Sequence, residues 1–286
     1  MKVKGVLWIG ILIIVAIFFL TCGLSFGAEN MQMTHAQSIQ KLLDYMEIQN
    51  VMAKHSYYYG AQEQWKELDE AWSRKRDDIS YGHNDGYYVG RKSVEAYYGK
   101  TNETRRKQTL ENVSKIYPEI KNIKENEGVG DLVIHTLTTP YIEIAEDGQT
   151  AKGIWMSIGL CSRTGQDGEA SGMWLWEKFA TDFVKEDGEW KIWHFQIYSD
   201  VLGNVDQAMI SMFAQQPQGT TMASAGQPPQ GAAAPTGGQG LQGGKISGFD
   251  KNVTIYELYS PTRVPKLTPA LPAPYKTWDD SLSLIK

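Results

Sequence analysis

Residues 130–144, GDLVIHTLTTPYIEI, decide the fold class: apolar and β-branched side chains run there at the period of a strand, with one titratable group, His135, among them. If His135 faces an interior pocket, alternation puts Leu137, Thr139 and Tyr141 on its side and Ile134 and Thr136 on the other. Downstream the pattern repeats. EDGQT (146–150) reads as a hairpin turn into AKGIWMSIGLCS (151–162), a glycine-bearing loop leads to GMWLWEKFATDFVK (172–185), and EDGEW (186–190) turns into KIWHFQIYS (191–199). Such turns between such runs predict four antiparallel strands.

Upstream the period changes to that of helices. Ile39, Leu42, Leu43 and Met46, then Val51, Met52 and His55, recur at three- and four-residue steps and predict an amphipathic helix over 36–58. EQWKELDEAWS (63–73) puts Trp65, Leu68 and Trp72 on one face of a second. RDDISYGHNDGYYVG (76–90) reads as a short strand and turn, after which Ser93 caps a helix opening VEAYY. Helices first and a meander after make residues 34–200 an α+β domain, its sheet wrapped against N-terminal helices.

The flanking segments differ in kind. Lys2 and Lys4 precede an uncharged apolar run from Val6 to Leu24, so residues 1–28 read as an export segment, either a cleaved signal peptide or an N-terminal anchor tethering the chain through 6–24. The mature chain is then periplasmic, extracellular or membrane-anchored facing outward, with Cys161 its one cysteine and no internal disulfide. Residues 201–249, rich in Gln, Gly, Ala and Pro and uncharged between Asp206 and Lys245, read as a flexible linker. Residues 250–286 recover Tyr256, Tyr259, Tyr275 and Trp278 among prolines, a tail whose aromatics can dock on the domain.

Removing residues 1–28 leaves 26 Lys and Arg against 33 Asp and Glu, a net charge of −7 with no basic stripe, which argues against a nucleic-acid partner. The five histidines show no metal-binding spacing, and no phosphate loop or dinucleotide fingerprint is present, so neither metal nor cofactor is expected. His83, Asn84 and Asp85 read as turn residues. Three groups carry chemistry. Histidine in a strand suits proton transfer, and His135 is the first candidate. His194 shares its period with Trp190 and Ile192 and is expected to point inward as a second, with Glu177 the acid able to partner either ring. Tyr57, Tyr58 and Tyr81 offer hydroxyls that can hold a carbonyl or enolate oxygen. Trp155, Glu177, Phe179 and His194 are the expected pocket lining, whereas Trp174 and Trp176 share the opposite face with Lys178 and suit a homodimer contact.

YYYGAQEQWKEL (57–68), ISYGHNDGYYVGRKSVEAYY (79–98) and DFVKEDGEWKIWHF (182–195) together resemble the SnoaL-like group of the nuclear-transport-factor-2-like fold, a cone that also carries scytalone dehydratase and bile acid 7α-dehydratase. The resemblance covers 36–198. It implies a curved sheet and helices enclosing a pocket for a small, mostly apolar molecule, and cofactor-independent dehydration or isomerisation of an aromatic or polycyclic hydroxy-ketone. Carried across, it implies that His135 moves the proton while Tyr57 and Tyr81 hold the carbonyl. Two departures stand out: Tyr58 replaces the aspartate that orients the histidine, and Trp155 replaces a second histidine. The acidic position used by many relatives is Ala61. The competing expectation is a binding domain that has kept the pocket and lost the acid–base pair.

Overall fold

A computed structural model describes residues 33–122, 128–168, 170–204, 248–256 and 268–285. Residues 1–28, expected to be an export segment, and most of the expected linker 201–249 lie outside the described residues. The described residues fall into two units, divided after Gln40. In the first, the Thr34 backbone N–H donates to Gln37 Oε1 at 2.9 Å and the Gln37 N–H donates to Thr34 Oγ1 at 3.2 Å, a reciprocal cap that starts a helix.

That helix, α1, runs His35–Gly60, and α2 follows at Gln64–Glu70. The buried side of α1 carries Asp44, Ile48, Val51, Met52 and His55, while Ile39, Leu42, Leu43 and Met46 are exposed. The first half of the predicted apolar stripe is therefore corrected. Met46 and Ile48 are two residues and about 200° apart, so the sequence holds two stripes on opposite sides. The inner one wins because Asp44 accepts from the Lys185 ammonium at 2.6 Å and from Trp190 Nε1 at 3.0 Å.

Strands β1 (Ser80–His83) and β2 (Gly86–Val89) form the hairpin of the SYGHNDGYYV stretch. Helix α3 (Arg91–Val94), a π-helical stretch (Glu95–Thr101) and α4 (Asn102–Ile116) then run on without a break. Gly90 occupies the N-cap at φ 86°, and Ser93, predicted as the cap, lies inside the first turn. The four long strands are β3 (Asp131–Ile144), β4 (Thr150–Thr164), β5 (Ala170–Glu186) and β6 (Glu189–Asn204). With the short β7 (Lys251–Asn252) the sheet order is β3-β4-β5-β6-β1-β2-β7, antiparallel except where β1 lies parallel to β6. The result is an α+β fold, N-terminal helices against a curved, unclosed sheet.

Irregularities decide which way side chains point. In β3, Thr139 at φ 47° and Pro140 form a bulge, so Tyr141 turns outward and is 43% exposed, not on the His135 side as simple alternation predicts. In β6, Trp193 is an extra residue opposite Asp182/Phe183 and Asp200 another opposite Trp176/Glu177. Trp190 and Ile192 face the core before the first bulge, and Phe195 faces it after. His194 is therefore thrown to the convex face, which corrects its predicted interior position. There its Nδ1 lies 2.9 Å from Asp182 Oδ2, and Asp182 also accepts from Lys152 Nζ at 2.6 Å.

The tail enters along the sheet edge as β7, and its described residues 268–285 lie on this convex face. Trp278 packs on Trp193 at 4.5 Å between ring centroids, the Leu284 N–H donates to Asp182, and Tyr87 donates its hydroxyl to the Leu284 carbonyl at 2.8 Å. Tyr256 donates to Asp200 at 2.6 Å and receives from Lys178 at 2.7 Å. Trp174 and Trp176 remain partly exposed on the same face.

Candidate active site

The concave face gathers His135 from β3, Ser157 from β4, Glu177 and Phe179 from β5, Ser199 from β6 and Tyr59 from the end of α1. His135 Nδ1 is 3.8 Å from Glu177 Oε2 and 3.4 Å from Ser157 Oγ, and both charged-capable side chains are almost fully enclosed. Ser199 donates its hydroxyl to Glu177 Oε1 at 2.7 Å. Burial dominates the chemistry of the pair. It pushes the Glu177 carboxyl up to about 7 against the opposing pull of the Ser199 hydrogen bond, and, with His55 nearby, it holds His135 down at about 3. Near neutrality the site contains a neutral imidazole, able to accept a proton, facing a carboxyl able to hold one.

A second titratable cluster lies behind it. His55 Nδ1 is 2.8 Å from Glu67 Oε1, and Glu67 also accepts from Tyr98 Oη at 2.5 Å and Trp72 Nε1 at 3.1 Å. With three partners Glu67 is satisfied, while the buried His55 Nε2 has no hydrogen-bond partner among the described residues. The His55 ring is 6.3 Å from that of His135 and 4.7 Å from Phe195. A carboxylate–histidine pair is thus present, built from His55 and Glu67 and not from the positions the resemblance singles out. The visible signal is a histidine on the apolar side of α1 in phase with Ile48 and Met52. Its partner could not be read from the sequence because α2 joins α1 by a turn of unspecified angle.

Of the three consecutive tyrosines, only the one not chosen from the sequence enters the interior. Tyr59 packs edge-on to His135 at 5.3 Å and against Tyr98 at 5.7 Å. Burial pushes its hydroxyl above the usual tyrosine value. Tyr57 is 78% exposed at the rim of a cleft. Tyr58 turns to the other side of the helix, donating to Glu70 at 2.5 Å with Lys66 over its ring, and does not replace an interior acid. About 100° separates successive residues of a helix, so three adjacent tyrosines cannot share a pocket.

Tyr81 is enclosed, stacked on Phe195 at 5.7 Å and 5.0 Å from Tyr98, with burial raising its hydroxyl far above the usual value. Phe179 is wholly enclosed and packs on both imidazoles, at 5.6 Å from His55 and 5.3 Å from His135, so it sets ring positions. Trp155 pairs with Phe179 across β4 and β5 and lines the cleft of about 650 Å³ between α1 and β3, where His135, Met52, Ser56 and Leu137 also face. His83, read as a turn residue, ends β1 facing the interior: Tyr97 Oη is 3.3 Å from its Nε2, and burial holds the ring down at about 4. Among the described residues no group of three or more His, Cys, Asp or Glu side chains is placed to hold a metal ion.

The SnoaL-like domain family matches residues 40–196. No functionally curated protein matches the chain. Among solved structures, a scytalone dehydratase candidate from Novosphingobium aromaticivorans DSM 12444 aligns at 12% identity over 60% of this chain and 93% of its own, with a TM-score of 0.43. A hexachlorocyclohexane dehydrochlorinase, LinA-type3 from Novosphingobium barchaimii LL02, aligns at 13% identity over 60% and 96%, with a TM-score of 0.42. The helices, the curved sheet and the family match across more than half of the sequence agree: the chain belongs to the SnoaL-like family.

Proposed function

We propose that the domain binds a small apolar or aromatic molecule against its concave face and moves a proton on it, as a cofactor-independent lyase or isomerase acting on a hydroxy-ketone. The observation that carries this is the facing pair His135 and Glu177, 3.8 Å apart and enclosed. In a dehydration, neutral His135 takes the proton from the carbon beside the carbonyl, and the C–H electron pair becomes the new C=C bond. Glu177 gives its proton to the hydroxyl on the next carbon, whose C–O bond breaks, releasing water. Transfer of the proton from His135 back to Glu177 restores both groups. The edge-on packing of Tyr59 on His135 supports Tyr59 as the hydroxyl that holds the carbonyl oxygen, a role that the resemblance assigns to Tyr57 and Tyr81.

The test is turnover of a panel of hydroxylated aromatic ketones by wild type, His135→Gln and Glu177→Gln. Product from wild type alone is expected, a loss of at least about 100-fold in each variant. Equal turnover in all three removes the pair from the mechanism, and ligand binding without turnover leaves a binding domain. The same scheme extends to location: the charge pattern of residues 1–24 supports export, by a cleaved signal or a tether. N-terminal sequencing of the protein from separated cell fractions tests it, and recovery of an intact chain from the cytosol alone refutes it. Trp174 and Trp176, partly exposed on the convex face, support a homodimer contact. A strictly monomeric mass by light scattering rules that contact out.

A further inference from the structure

We propose that His55, backed by Glu67, is a positioning residue of the acid–base site, and that the charge on its ring governs how readily His135 takes a proton and Glu177 gives one up. The inference rests on the reaction reading above and adds the group that tunes it. Two imidazole–carboxyl pairs stand in one enclosed region. In the first, His135 Nδ1 is 3.8 Å from Glu177 Oε2. In the second, His55 Nδ1 is 2.8 Å from Glu67 Oε1, and both side chains are again enclosed. The two rings are 6.3 Å apart between centroids. Both pack on Phe179, at 5.6 and 5.3 Å, and both on Tyr59, at 5.8 and 5.3 Å.

Each element around His55 presents a group to it. From α1 this is Tyr59, from α2 Glu67, and from the π-helical stretch Tyr98, whose Oη is 3.3 Å from Nδ1 and donates to Glu67 at 2.5 Å. From β3 it is His135, from β5 Phe179 with Glu177 on the same face of the strand, and from β6 Phe195 at 4.7 Å. One proton lies in the Nδ1–Glu67 contact. The buried Nε2 has no hydrogen-bond partner among the described residues and is the atom where the other can be gained or lost. A buried imidazolium needs a paired carboxylate, and of the two rings His55 alone has one within hydrogen-bond distance.

Gain of that proton adds a unit of positive charge beside His135. At the 6.3 Å between the rings and an effective dielectric constant of about 20, one such charge moves the proton affinity of its neighbour by about two pH units. The direction is the same at both groups: a cation on His55 weakens His135 as a base and strengthens Glu177 as an acid. After burial itself, His55 is the influence that holds His135 down, and at Glu177 it acts with the Ser199 hydrogen bond against burial. As His55 charges, removal of the proton from carbon by His135 becomes harder and protonation of the leaving hydroxyl by Glu177 easier. The second pair therefore sets which half of the dehydration is the slower one.

NMR titration of the full chain tests this, following the His55 ring and the isotope-labelled carboxyl of Glu177, each assigned by its own Gln variant. His55→Gln keeps a donor for Glu67 and removes the charge, so Glu177 should move up by about one pH unit or more. A role confined to packing would let water in and move Glu177 the other way, down toward 4.5. That outcome, or a Glu177 curve unchanged by His55→Gln, overturns the proposal. Should His55→Gln fail to fold, the wild type decides: its Glu177 curve should carry a second inflection at the pH where His55 titrates, and a single step overturns the proposal. The titrations need no ligand and so stand apart from the turnover panel. Coupled curves without turnover remove the reaction and keep the coupling, whereas turnover with uncoupled curves removes the coupling alone. With turnover, the fall of kcat through about 7 should move up in His55→Gln by the shift seen at Glu177.

Discussion

Burial makes His135 and Glu177 poor ions, and the consequence reaches stability as well as chemistry. Glu177 has its folded-state value raised from 4.5 to about 7, so the folded protein holds that proton more tightly than the unfolded chain. Stability is therefore unpenalised below about pH 4.5 and is lost as pH rises toward 7. His135, lowered from 6.5 to about 3, penalises the fold in the opposite direction, as pH falls through that interval. Glu177→Gln should accordingly stabilise the protein by about 1–3 kcal/mol at pH 8 and by almost nothing at pH 4.5, measured by denaturant unfolding at both values. A gain independent of pH would mean that Glu177 is not held protonated. Were Glu177 the required acid, kcat should fall as pH rises through about 7.

At the scale of elements, the site is placed by departures from regularity. The π-helical stretch Glu95–Thr101 carries Tyr97 to His83 and Tyr98 to Glu67 from one short segment. Its packing is tight at Gly99, where an added methyl would meet the Trp65 ring at 2.7 Å. Gly99→Ala should destabilise by about 1–3 kcal/mol in an unfolding titration, and a neutral result would show that α2 and the π-helical stretch can separate freely. The two bulges of β6 have the larger effect. Because Trp193 adds a residue, Phe195 stacks on Tyr81 and Ser199 reaches Glu177, while His194 is sent to the far face. Deleting Trp193 would return Phe195 and Ser199 to the wrong side of the sheet, and the variant should not yield a cooperatively unfolding protein.

For the whole molecule, the described residues of the tail beyond 268 and the pocket use opposite faces of one sheet. Trp278 packs on Trp193, and Lys152 lies over its ring at 5.0 Å while donating to the Leu282 carbonyl at 2.5 Å. The tail closes over the Asp182–His194 pair, which would otherwise be a charged cluster on an open sheet. Trp278→Ala should lower stability by about 1–2 kcal/mol, read from the denaturant midpoint, and should leave ligand affinity at the concave face unchanged. A loss of ligand binding instead would show that the two faces are coupled through β5 and β6.

The α+β class, the order of helices and strands and the hairpin turns were legible in the sequence, because hydrophobic period and Asp-Gly turns are local properties of the chain. So was the shared face of Glu177 and Phe179, since β5 keeps strict alternation along that stretch, whereas the meeting of His135 with Glu177 was not. Tertiary structure alone decided the rest. A bulge of one residue inverts every side chain beyond it, so the place of His194 depends on pairing between β5 and β6 and not on its own neighbours. The choice between two apolar stripes on α1 depended on Lys185 and Trp190, more than 140 residues away in sequence. The His55–Glu67 pair arises the same way, from packing between two helices whose relative angle no local pattern specifies.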